Sequence, residues 1–389
     1  MKRTPFIGII TLLLVCCVAS AQDEVKITFK VKVPDGTPAD AKVYLAGDAK
    51  ALGEWKAEGL ALKKGDDGVY SAVASLPKDK PIEYKVTRGS WETVEKNADG
   101  SEMNNRTLTP TKDASVEVEV KKWADSGAAD AKPPAEKKST RSGDIRTHAK
   151  FHSQNLNNDR DILVYLPPRY DEQTDHRYPV LYLHDGQNVF DAATSFAGEW
   201  QVDETAERLI GEKKIEPLII VAIANNKDRI AEYTPWADAN HGGGNGDAYA
   251  RFVAEEVKPF IDSTYRTRTG RDDTAVGGSS LGGLISLHIA GKYPDRFGKV
   301  AALSPSLQWN SYAMLREFDS TQKLKLWIDM GSEEGASEVK SVRAIGQLLQ
   351  SDGHVPDKDF ALRIVEGAKH NESAWAARFD QVLSFLFPA

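Results

Sequence analysis

Residues 274–284 read TAVGGSSLGGL, an apolar strand pattern that turns through glycines and serines into a helical pattern. Small residues let the backbone make a tight turn where a Cβ atom would clash. Ser280 lies midway between Gly278 and Gly282, at the start of the predicted helix, whose dipole stabilises developing negative charge. The pattern therefore predicts a nucleophilic serine at position 280. Ser279 lies off the centre of the pattern, and the competing interpretation is a turn that only caps the helix.

Strand and helix patterns alternate along the chain on both sides of this turn. Strands that are apolar along their whole length predict a parallel sheet covered by helices on both faces. We therefore expect residues 144–389 to form a doubly wound, mostly parallel α/β sheet. The predicted strands are 162–166, 180–184, 218–223, 274–277, 300–303, 324–329 and 361–365, and the predicted helices lie near 200–211, 247–263, 281–293, 337–351 and 372–386.

A nucleophilic serine needs a base, and the base needs an acid that orients it. α/β-Hydrolases supply these groups in the chain order serine, acid, histidine. His370 follows the last predicted strand, at the sheet edge where ligands bind, whereas His354 precedes that strand at the opposite edge. We expect His370 to be the base, and capping of the last helix is its alternative role.

The acid should follow the strand that lies between the serine and the histidine. The sequence there reads WIDMGSEE and provides three carboxylates, Asp329, Glu333 and Glu334. Asp329 falls within the predicted strand, and the two glutamates fall in the loop after it. We favour Glu334, with Glu333 and Asp329 as alternatives and a solvated loop charge as the competing interpretation. A glutamate suffices because the acid only fixes the imidazole tautomer and balances its charge.

Oxyanion stabilisation in this fold uses the N–H group after the nucleophile and a second N–H group from an earlier loop. Leu281 supplies the first, and Gln187, in the loop HDGQN at 184–188, is our candidate for the second. Residues 241–244 read HGGG and resemble a lipase oxyanion motif. That motif follows a different strand, so we interpret it as a flexible loop at the rim of the site.

Four stretches carry a family resemblance: LHDGQN at 183–188, GSSLGG at 278–283, LSPS at 303–306 and HNESAW at 370–375. They resemble the putative esterase family, which includes feruloyl esterases, enterochelin esterases, esterase D and mycolyltransferases. The resemblance covers nearly all of residues 144–389. It implies an α/β-hydrolase that hydrolyses carboxylic esters without a metal or an organic cofactor. The substrates of the family vary widely, so the substrate does not transfer.

Residues 1–21 have the pattern of a secretory signal peptide: two basic residues, an apolar run, and Ala-Ser-Ala. We expect cleavage after Ala21 and a secreted or periplasmic destination. A lipoprotein anchor at Cys16 or Cys17 and an uncleaved N-terminal anchor are the alternatives. The apolar run is short for a bilayer span, so we expect no stable membrane insertion after cleavage.

The net charge and the cysteine content limit the kinds of partner and chemistry that the protein can have. The chain of 389 residues has a formal net charge of −7, which becomes −9 after cleavage because the signal carries two basic residues and no acid. An acidic chain without a basic stripe argues against a nucleic-acid partner. Both cysteines leave with the signal, so the mature chain has no disulfide and no thiol nucleophile.

Residues 22–122 contain short runs in which apolar and polar residues alternate, separated by turns rich in glycine, proline and aspartate. This period of two predicts a small antiparallel β-sandwich. The stretch from 123 to 143 is rich in alanine, proline, serine and lysine, which predicts a flexible linker. The alternating runs are 25–33, 42–45, 68–73, 82–86 and 115–120.

The sandwich contains VYLAG at 43–47, LGEW at 52–55, IEYKV at 82–86, SWE at 90–92 and Asn105-Arg106. Together these segments resemble a family 20 starch-binding module. The resemblance implies two kinds of sugar contact, stacking of aromatic rings on glucose and hydrogen bonds to its hydroxyls. The stacking residues would be Trp55 and Trp91, and the hydrogen-bonding residues would be Lys85, Glu92 and Asn105.

This sequence departs from the usual module in two places. The gap between Lys85 and Trp91 is short, and residues 93–100 are inserted before the asparagines. Loop changes of this kind can remove or redirect a sugar site. The competing interpretation is that Trp55 is a core residue at the corner of the sandwich and that Trp91 only packs.

These features together predict a secreted serine ester hydrolase that acts on an acylated carbohydrate or a related ester. Its sandwich domain would direct it to starch or another α-glucan. An acyltransferase is an alternative, because a sugar hydroxyl can attack the same acyl-enzyme in place of water. A glycan-binding protein with a non-catalytic hydrolase domain is a third reading. The intact serine, acid loop and histidine favour an enzyme.

Overall fold

The computed structural model describes residues 23–53, 55–100, 103, 105–125, 138–195, 198–238 and 241–389. The chain divides between Lys132 and Pro133 into two compact units. The expected signal peptide, residues 1–21, lies outside the described residues. Within the described ranges, no helix has both the length and the apolar character needed to cross a membrane.

The first unit consists of short strands. They are β1 (Glu24–Lys32), β2 (Val43–Gly47), β3 (Leu60–Lys64), β4 (Tyr70–Pro77), β5 (Ile82–Thr87), β6 (Glu95–Lys96), β7 (Arg106–Leu108), β8 (Ala114–Glu119) and β9 (Lys122–Trp123). One sheet has the order β7-β5-β2-β3-β4-β1-β8, and β6 pairs with β9 in a separate ribbon. All pairs are antiparallel except β1 with β8, so the predicted antiparallel sheet contains one parallel pair.

The core of the first unit follows the predicted alternation. Ile27, Phe29 and Val31 on β1 are buried, and the lysines between and after them are exposed. Side chains in a strand point to opposite faces in turn, so one face of β1 packs on the core. Trp123 on β9 is buried in the same core, so this unit extends at least to that residue rather than stopping at 122.

The second unit contains a sheet of eight strands. Its strands are β10 (Asp144–Ser153), β11 (Asn158–Leu166), β12 (Val180–Leu183), β13 (Ile219–Ile223), β16 (Thr274–Ser279), β17 (Lys299–Leu303), β18 (Lys325–Gly331) and β19 (Phe360–Val365), and a small ribbon is formed by β14 (Ala237–Asp238) and β15 (Gly242–Gly243). The order is β10-β11-β13-β12-β16-β17-β18-β19. Strands β13 to β19 in this order are parallel, and β10 and β11 add an antiparallel edge.

Residues of the parallel strands divide between two cores. On β13, Ile219, Val221 and Ile223 belong to one hydrophobic cluster. Ile220 and Ala222 belong to the other. Because successive side chains point to opposite faces, the sheet is buried on both sides, as its continuous apolar strands predicted.

Helices cover both faces of this sheet. They are α1 (Val202–Gly211), α2 (Arg229–Glu232), α3 (Gly246–Arg251), α4 (Lys258–Thr264), α5 (Leu281–Lys292), α6 (Trp309–Glu317), α7 (Ala336–Ser351), α8 (Glu372–Ala376) and α9 (Phe379–Leu386), with a π-helical segment, Phe252–Val257, between α3 and α4. The fold class predicted from the sequence, a mostly parallel α/β-hydrolase sheet after a smaller antiparallel-rich β domain, is confirmed.

The structure departs from the predicted helices in four places. Helices α2 and α6 were not predicted, and the π-helical segment interrupts the helix expected at 247–263. The helix expected at 372–386 is divided into α8 and α9 by Ala377 and Arg378. Arg378 is buried at this break, where its side chain forms an ion pair with a strand residue of the sheet. The break therefore allows Arg378 to enter the core, which the helical periodicity of the sequence does not predict.

The last residues of the predicted linker are held against the second unit. Ser139 Oγ donates a hydrogen bond to Asp191 Oδ2 at 2.9 Å, and the Ser142 N–H donates to Asp203 Oδ2 at 2.6 Å. Arg141 also forms an ion pair with Asp191 at 3.0 Å. Residues 138–143 therefore belong structurally to the second unit, which differs from the flexible linker expected over 123–143.

Candidate active site

Ser280 occupies the sharp turn between β16 and α5. Its φ and ψ angles are 56° and −124°, a conformation that non-glycine residues rarely adopt. A Cβ atom on Gly278 would lie 2.9 Å from the carbonyl carbon of Gly282, so the two backbones meet too closely for any side chain. Strain of this kind is typical of a serine raised above a sheet for nucleophilic attack.

A continuous chain of hydrogen bonds connects the three residues expected to form the triad. His370 Nε2 lies 2.9 Å from Ser280 Oγ, and His370 Nδ1 lies 2.6 Å from Glu334 Oε2. An ionised carboxylate can only accept, so the Nδ1–H group donates to Glu334 and the lone pair of Nε2 faces the serine. This is the tautomer that a general base needs. The structure therefore brings Ser280, Glu334 and His370 together.

The surroundings of Glu334 keep it ionised. Its side chain is only 2% exposed, and this burial opposes the charge. Hydrogen bonds from His370, from Ser304 Oγ at 2.6 Å and from the Gly331 N–H at 2.7 Å prevail. These donors hold the pKa of Glu334 below its usual value. The carboxylate is therefore charged at neutral pH and accepts hydrogen bonds at both oxygens.

The alternative acids and the alternative base lie elsewhere. Asp329 accepts from Arg378 at 2.8 Å and from the Trp327 indole at 2.7 Å, on the buried side of the acid loop. Glu333 is exposed and pairs with Lys369 at 3.6 Å. The His354 ring contacts the carbonyl of Ser320 at 2.8 Å. None of these three side chains forms a described hydrogen bond with His370 or with Ser280.

The two oxyanion candidates lie on neighbouring elements. Leu281 is the first residue of α5, and Gln187 lies in a 3-10 turn, so both N–H groups are at helix starts where intrahelical acceptors are missing. A Cβ atom on Gly282 would be 3.4 Å from the Cβ of His184, which shows that the helix start touches the loop. The Gln187 side chain is bonded to the Asn225 backbone on both sides, at 2.7 Å and 3.0 Å, which fixes the loop.

Several polar residues around the site were not singled out from the sequence. Asp185 is buried and forms a two-pronged ion pair with Arg229 at 2.6 Å and 2.8 Å. Burial opposes the charge of Asp185, but Arg229 holds the pKa of its carboxyl below the usual value. Burial, with help from the charge of Asp185, raises the pKa of Glu372 to about 7. Ser306 Oγ lies 3.1 Å from Ser280 Oγ.

Some of these polar residues could have been found from the sequence. Asp185, Ser306 and Glu372 all lie inside the motifs that supported the family resemblance, HDGQN, LSPS and HNESAW. Arg229 and Arg378 lie outside every motif, and only the folded chain brings them to the site. The HGGG stretch forms part of the ribbon β14–β15, where the His241 ring packs on Trp309 at 5.8 Å. The stretch was expected to be a flexible loop, but its residues Gly242 and Gly243 pair with β14 instead.

Some of the predicted sugar-binding residues of the first unit lie close to one another. The Trp55 and Trp91 rings lie 6.4 Å apart and are tilted by 39°, and Trp91 is 43% exposed. Asn105 Nδ2 donates to Glu83 Oε2 at 2.9 Å, and β5 carries both Glu83 and Lys85. Glu92 is exposed beside Trp91 in a short 3-10 turn. Trp91 is therefore exposed to solvent, although its ring also contacts that of Trp55.

One group of carboxylates in the described part of the chain has the spacing of metal ligands. The ligand atoms of Glu199, Asp203 and Glu204 all lie within 4.8 Å of one another. Burial raises the pKa of Asp203 to about 8, and the neighbouring Glu204 adds to the rise. The raised pKa favours the protonated form of Asp203, and protonation lessens the repulsion between these neighbouring carboxylates.

A mostly parallel sheet that brings a serine, a glutamate and a histidine together at the carboxyl ends of its strands defines an α/β-hydrolase. The model of the family described as "Putative esterase" matches residues 153–386, and the chain belongs to that family. Residues 24–119 match the family model "Starch binding domain". Both resemblances inferred from the sequence are thereby confirmed, and the protein is a carboxylic ester hydrolase.

Two relatives illustrate the two parts of the chain. An endo-1,4-beta-xylanase/feruloyl esterase from Xylanibacter ruminicola is 23% identical over 375 residues, which is 92% of this chain and 44% of the relative. An alpha-amylase from Niallia circulans is 45% identical over 102 residues, 25% of this chain and 8% of the amylase. The chain spans less than half the length of either relative.

Two solved structures share the fold. The BES protein from Bacillus cereus has a TM-score of 0.54 and 21% identity, over 66% of this chain and 99% of that one. The enterobactin esterase FES from Shigella flexneri has a TM-score of 0.52 and 15% identity, over 94% of this chain and 93% of that one. At these identities the likeness concerns the fold alone.

Proposed function

We propose that the protein is a secreted serine esterase that hydrolyses carboxylic esters through an acyl-enzyme on Ser280. One observation carries the proposal: the unbroken hydrogen-bond chain from Glu334 through His370 to Ser280, at 2.6 Å and 2.9 Å. A serine hydroxyl becomes a useful nucleophile when a neighbouring base can remove its proton during attack. The geometry of the chain meets this requirement without any rearrangement.

Acylation begins when Ser280 Oγ attacks the ester carbonyl carbon. The hydroxyl proton passes to His370 Nε2, and the imidazolium that forms is balanced by the Glu334 carboxylate. The tetrahedral intermediate then collapses, the bond to the alcohol oxygen breaks, and His370 returns the proton to that oxygen. Before attack, the Ser306 hydroxyl, at 3.1 Å, donates to Ser280 Oγ and helps to hold it in place.

Negative charge develops on the carbonyl oxygen during this attack. We assign its stabilisation to the N–H groups of Leu281 and Gln187, at the start of α5 and in the neighbouring loop. Preorganised N–H groups of this kind contribute about 3–4 kcal/mol each to the transition state. The positive end of the α5 dipole acts in the same direction.

Deacylation repeats the same steps with water in place of the serine. His370 removes a proton from the water molecule, the hydroxide adds to the acyl carbon, and the bond to Ser280 Oγ breaks. The proton returns to Ser280, and the carboxylic acid leaves. Because His370 is 45% exposed, solvent water can reach its Nε2 side once the alcohol has gone.

We further propose that the ester is an acyl group on a glycan. The domain that matches the starch-binding model carries two tilted tryptophans, and aromatic faces cover the apolar faces of pyranose rings. Two relatives point in the same direction, because one is an alpha-amylase and the other a xylanase with feruloyl esterase activity in its name. Glucan binding by the first domain would hold the esterase close to polymeric substrate.

Secretion is supported by the N-terminal pattern and by the nature of this substrate. Residues 1–21 fit a signal peptide, and a polymeric glycan is met outside the cytoplasm. N-terminal sequencing of the protein exported by its host should begin at Gln22. A mature protein that begins at Cys16 or Cys17 would indicate a lipoprotein, and one that retains Met1 would contradict cleavage.

Hydrolysis of a small aryl ester tests the esterase proposal. Ser280→Ala should lower kcat/KM by at least about 1,000-fold, because it removes the hydroxyl on which the proposed acyl-enzyme forms. Ser279→Ala is the matched control, since it removes a hydroxyl from the adjacent buried residue and should leave the rate within a few-fold. Equal hydrolysis by Ser280→Ala and the unaltered protein would refute the proposed nucleophile.

Retention on insoluble starch tests the binding proposal. The unaltered protein should sediment with starch, and Trp55→Ala and Trp91→Ala should each reduce the bound fraction roughly tenfold or more, since stacking is the main apolar contact. Val73→Ala, which alters a 57% exposed side chain on β4 of the same unit, is the control and should bind normally. Failure of the unaltered protein to bind would remove the starch proposal and leave the esterase intact.

A further inference from the structure

A buried polar cluster lies behind the triad acid, on the side away from His370. Ser304, directly after β17, donates from Oγ to Glu334 Oε1 at 2.6 Å. The same Oγ accepts from the Trp375 indole N–H at 3.0 Å and from Arg378 Nη2 at 2.8 Å. Ser304 is completely buried, so no solvent molecule competes for these bonds.

The two N–H donors leave the Ser304 hydroxyl a single orientation. A serine hydroxyl has one proton to donate and two lone pairs that accept. Trp375 and Arg378 occupy both lone pairs, so the proton must point to the remaining neighbour, Glu334. A hydroxyl locked in this way acts as a fixed donor to the carboxylate and costs no reorientation during the reaction.

Arg378 is itself held in place by an acid. Its Nη2 donates to Asp329 Oδ1 at 2.8 Å, and the two side chains are 3% and 0% exposed. Asp329 is fixed from its other oxygen by the Trp327 indole at 2.7 Å. Arg378 Nη2 also lies 4.0 Å from Glu334 Oε1, where its positive charge favours the ionised acid.

We propose that Ser304 and the Asp329–Arg378 ion pair are positioning residues for the reaction, and that they act by orienting Glu334 as a fixed, ionised acceptor. The inference rests on the proposed function, because it needs Glu334 to work as the triad acid. It also explains the break between α8 and α9, which directs the Arg378 side chain toward the sheet. No hydrogen bond or ion pair among the described residues joins the side chains of these three residues to Ser280, so we expect their influence to pass through Glu334.

Steady-state kinetics of Ser304→Ala on a small aryl ester test this inference. Loss of one hydrogen bond to a buried charge should lower kcat roughly 10- to 100-fold. KM should stay within about twofold, because a completely buried side chain cannot touch the substrate. Ser341→Ala, which removes another buried hydroxyl whose only described bond is within its own helix, is the matched control and should keep the normal kcat.

A second background shows whether the effect passes through Glu334. In a Glu334→Gln variant no ionised acceptor remains, and Ser304 is one of the two donors that hold the amide in its inactive orientation, so adding Ser304→Ala should lower kcat by less than about twofold. A general loss of packing would instead lower kcat by the same factor in both backgrounds, which would overturn the inference. An unchanged kcat for Ser304→Ala alone would also overturn it.

A variant without the charges of Asp329 and Arg378 tests the ion pair with less risk of unfolding the protein. Asp329→Asn with Arg378→Gln replaces the buried ion pair by neutral groups of similar size, so no single charge is left unpaired. It should reproduce the lower kcat and the unchanged KM, and its loss should not multiply with that of Ser304→Ala. Multiplying losses would contradict the proposal. A Ser280→Ala variant with normal activity would instead remove the proposed function itself.

Discussion

Replacing Glu334 with glutamine should be more damaging than its small change in shape suggests. Glu334 Oε1 accepts two hydrogen bonds, from Ser304 Oγ and from the Gly331 N–H, and both donors are fixed by other contacts. The amide oxygen of a glutamine must therefore take this position. Its NH2 group then faces His370 Nδ1, where the structure has an acceptor.

This orientation forces the wrong tautomer on the base. An amide NH2 can only donate, so it binds the lone pair of Nδ1 and leaves the imidazole proton on Nε2, facing Ser280. The histidine can then no longer remove the serine proton. Turning the amide round would point its NH2 at two donors, at about 1–3 kcal/mol for each lost hydrogen bond, or at least about 2 kcal/mol together.

We therefore expect Glu334→Gln to lower kcat/KM for an aryl ester roughly 1,000- to 10,000-fold at neutral pH. The matched control is Glu333→Gln, which makes the same substitution one residue earlier, on an exposed side chain paired with Lys369. It should leave the rate within about twofold. If Glu334→Gln kept a tenth of the normal rate, or Glu333→Gln were the slower variant, the assignment of the acid would be refuted.

Three further predictions concern the turn that carries Ser280 and the stability of the second unit. Gly278→Ala should lower kcat roughly 100-fold, because the new Cβ lies 2.9 Å from the Gly282 backbone and must displace Ser280; a normal aryl-ester rate would contradict this. Arg160→Met should cost about 3–5 kcal/mol in urea unfolding, because it leaves the buried Glu232 carboxylate without its charged partner at 2.7 Å and with only the Asn158 amide, among the described side chains, still donating to it, whereas adding Glu232→Leu should restore most of the loss. Burial raises the pKa of Asp203 to about 8, against roughly 4 when unfolded, so its contribution to stability is lost as pH rises from about 4 to 8. Asp203→Asn should therefore gain in Tm over the unaltered protein as pH rises from about 5 to 8, and a constant difference would count against the raised pKa.

Much of the second unit was predictable because its strands are apolar along their whole length. Continuous runs such as Ile219–Ile223 mark strands buried on both faces, and their alternation with helical patterns implies parallel crossovers. The short strands of the first unit were harder to find. In β3, only Leu62 is buried among five residues, so the period of two is too weak to detect.

The candidate site divides in the same way. The nucleophile and the base each follow a strand of the sheet, so chain order and strand position were enough to select Ser280 and His370. The sequence already favoured Glu334 over Asp329, because Asp329 falls within β18 and Glu334 in the loop after it. Glu333 lies in the same loop, so only the contacts of the folded chain separate the two glutamates. The role of Arg378 could not be predicted from the sequence. Arginine is usually exposed, and this one is buried only because the helix breaks beside it.

Trapping of the acyl-enzyme tests the central claim most directly. The protein would be mixed with a slowly hydrolysed aryl ester, quenched in acid during turnover, digested, and examined by peptide mass spectrometry. The proposed mechanism predicts one acyl group, carried by Ser280 on the peptide that spans the turn between β16 and α5, and no such adduct in Ser280→Ala. An acyl group found on another residue, or continued turnover by Ser280→Ala, would contradict it.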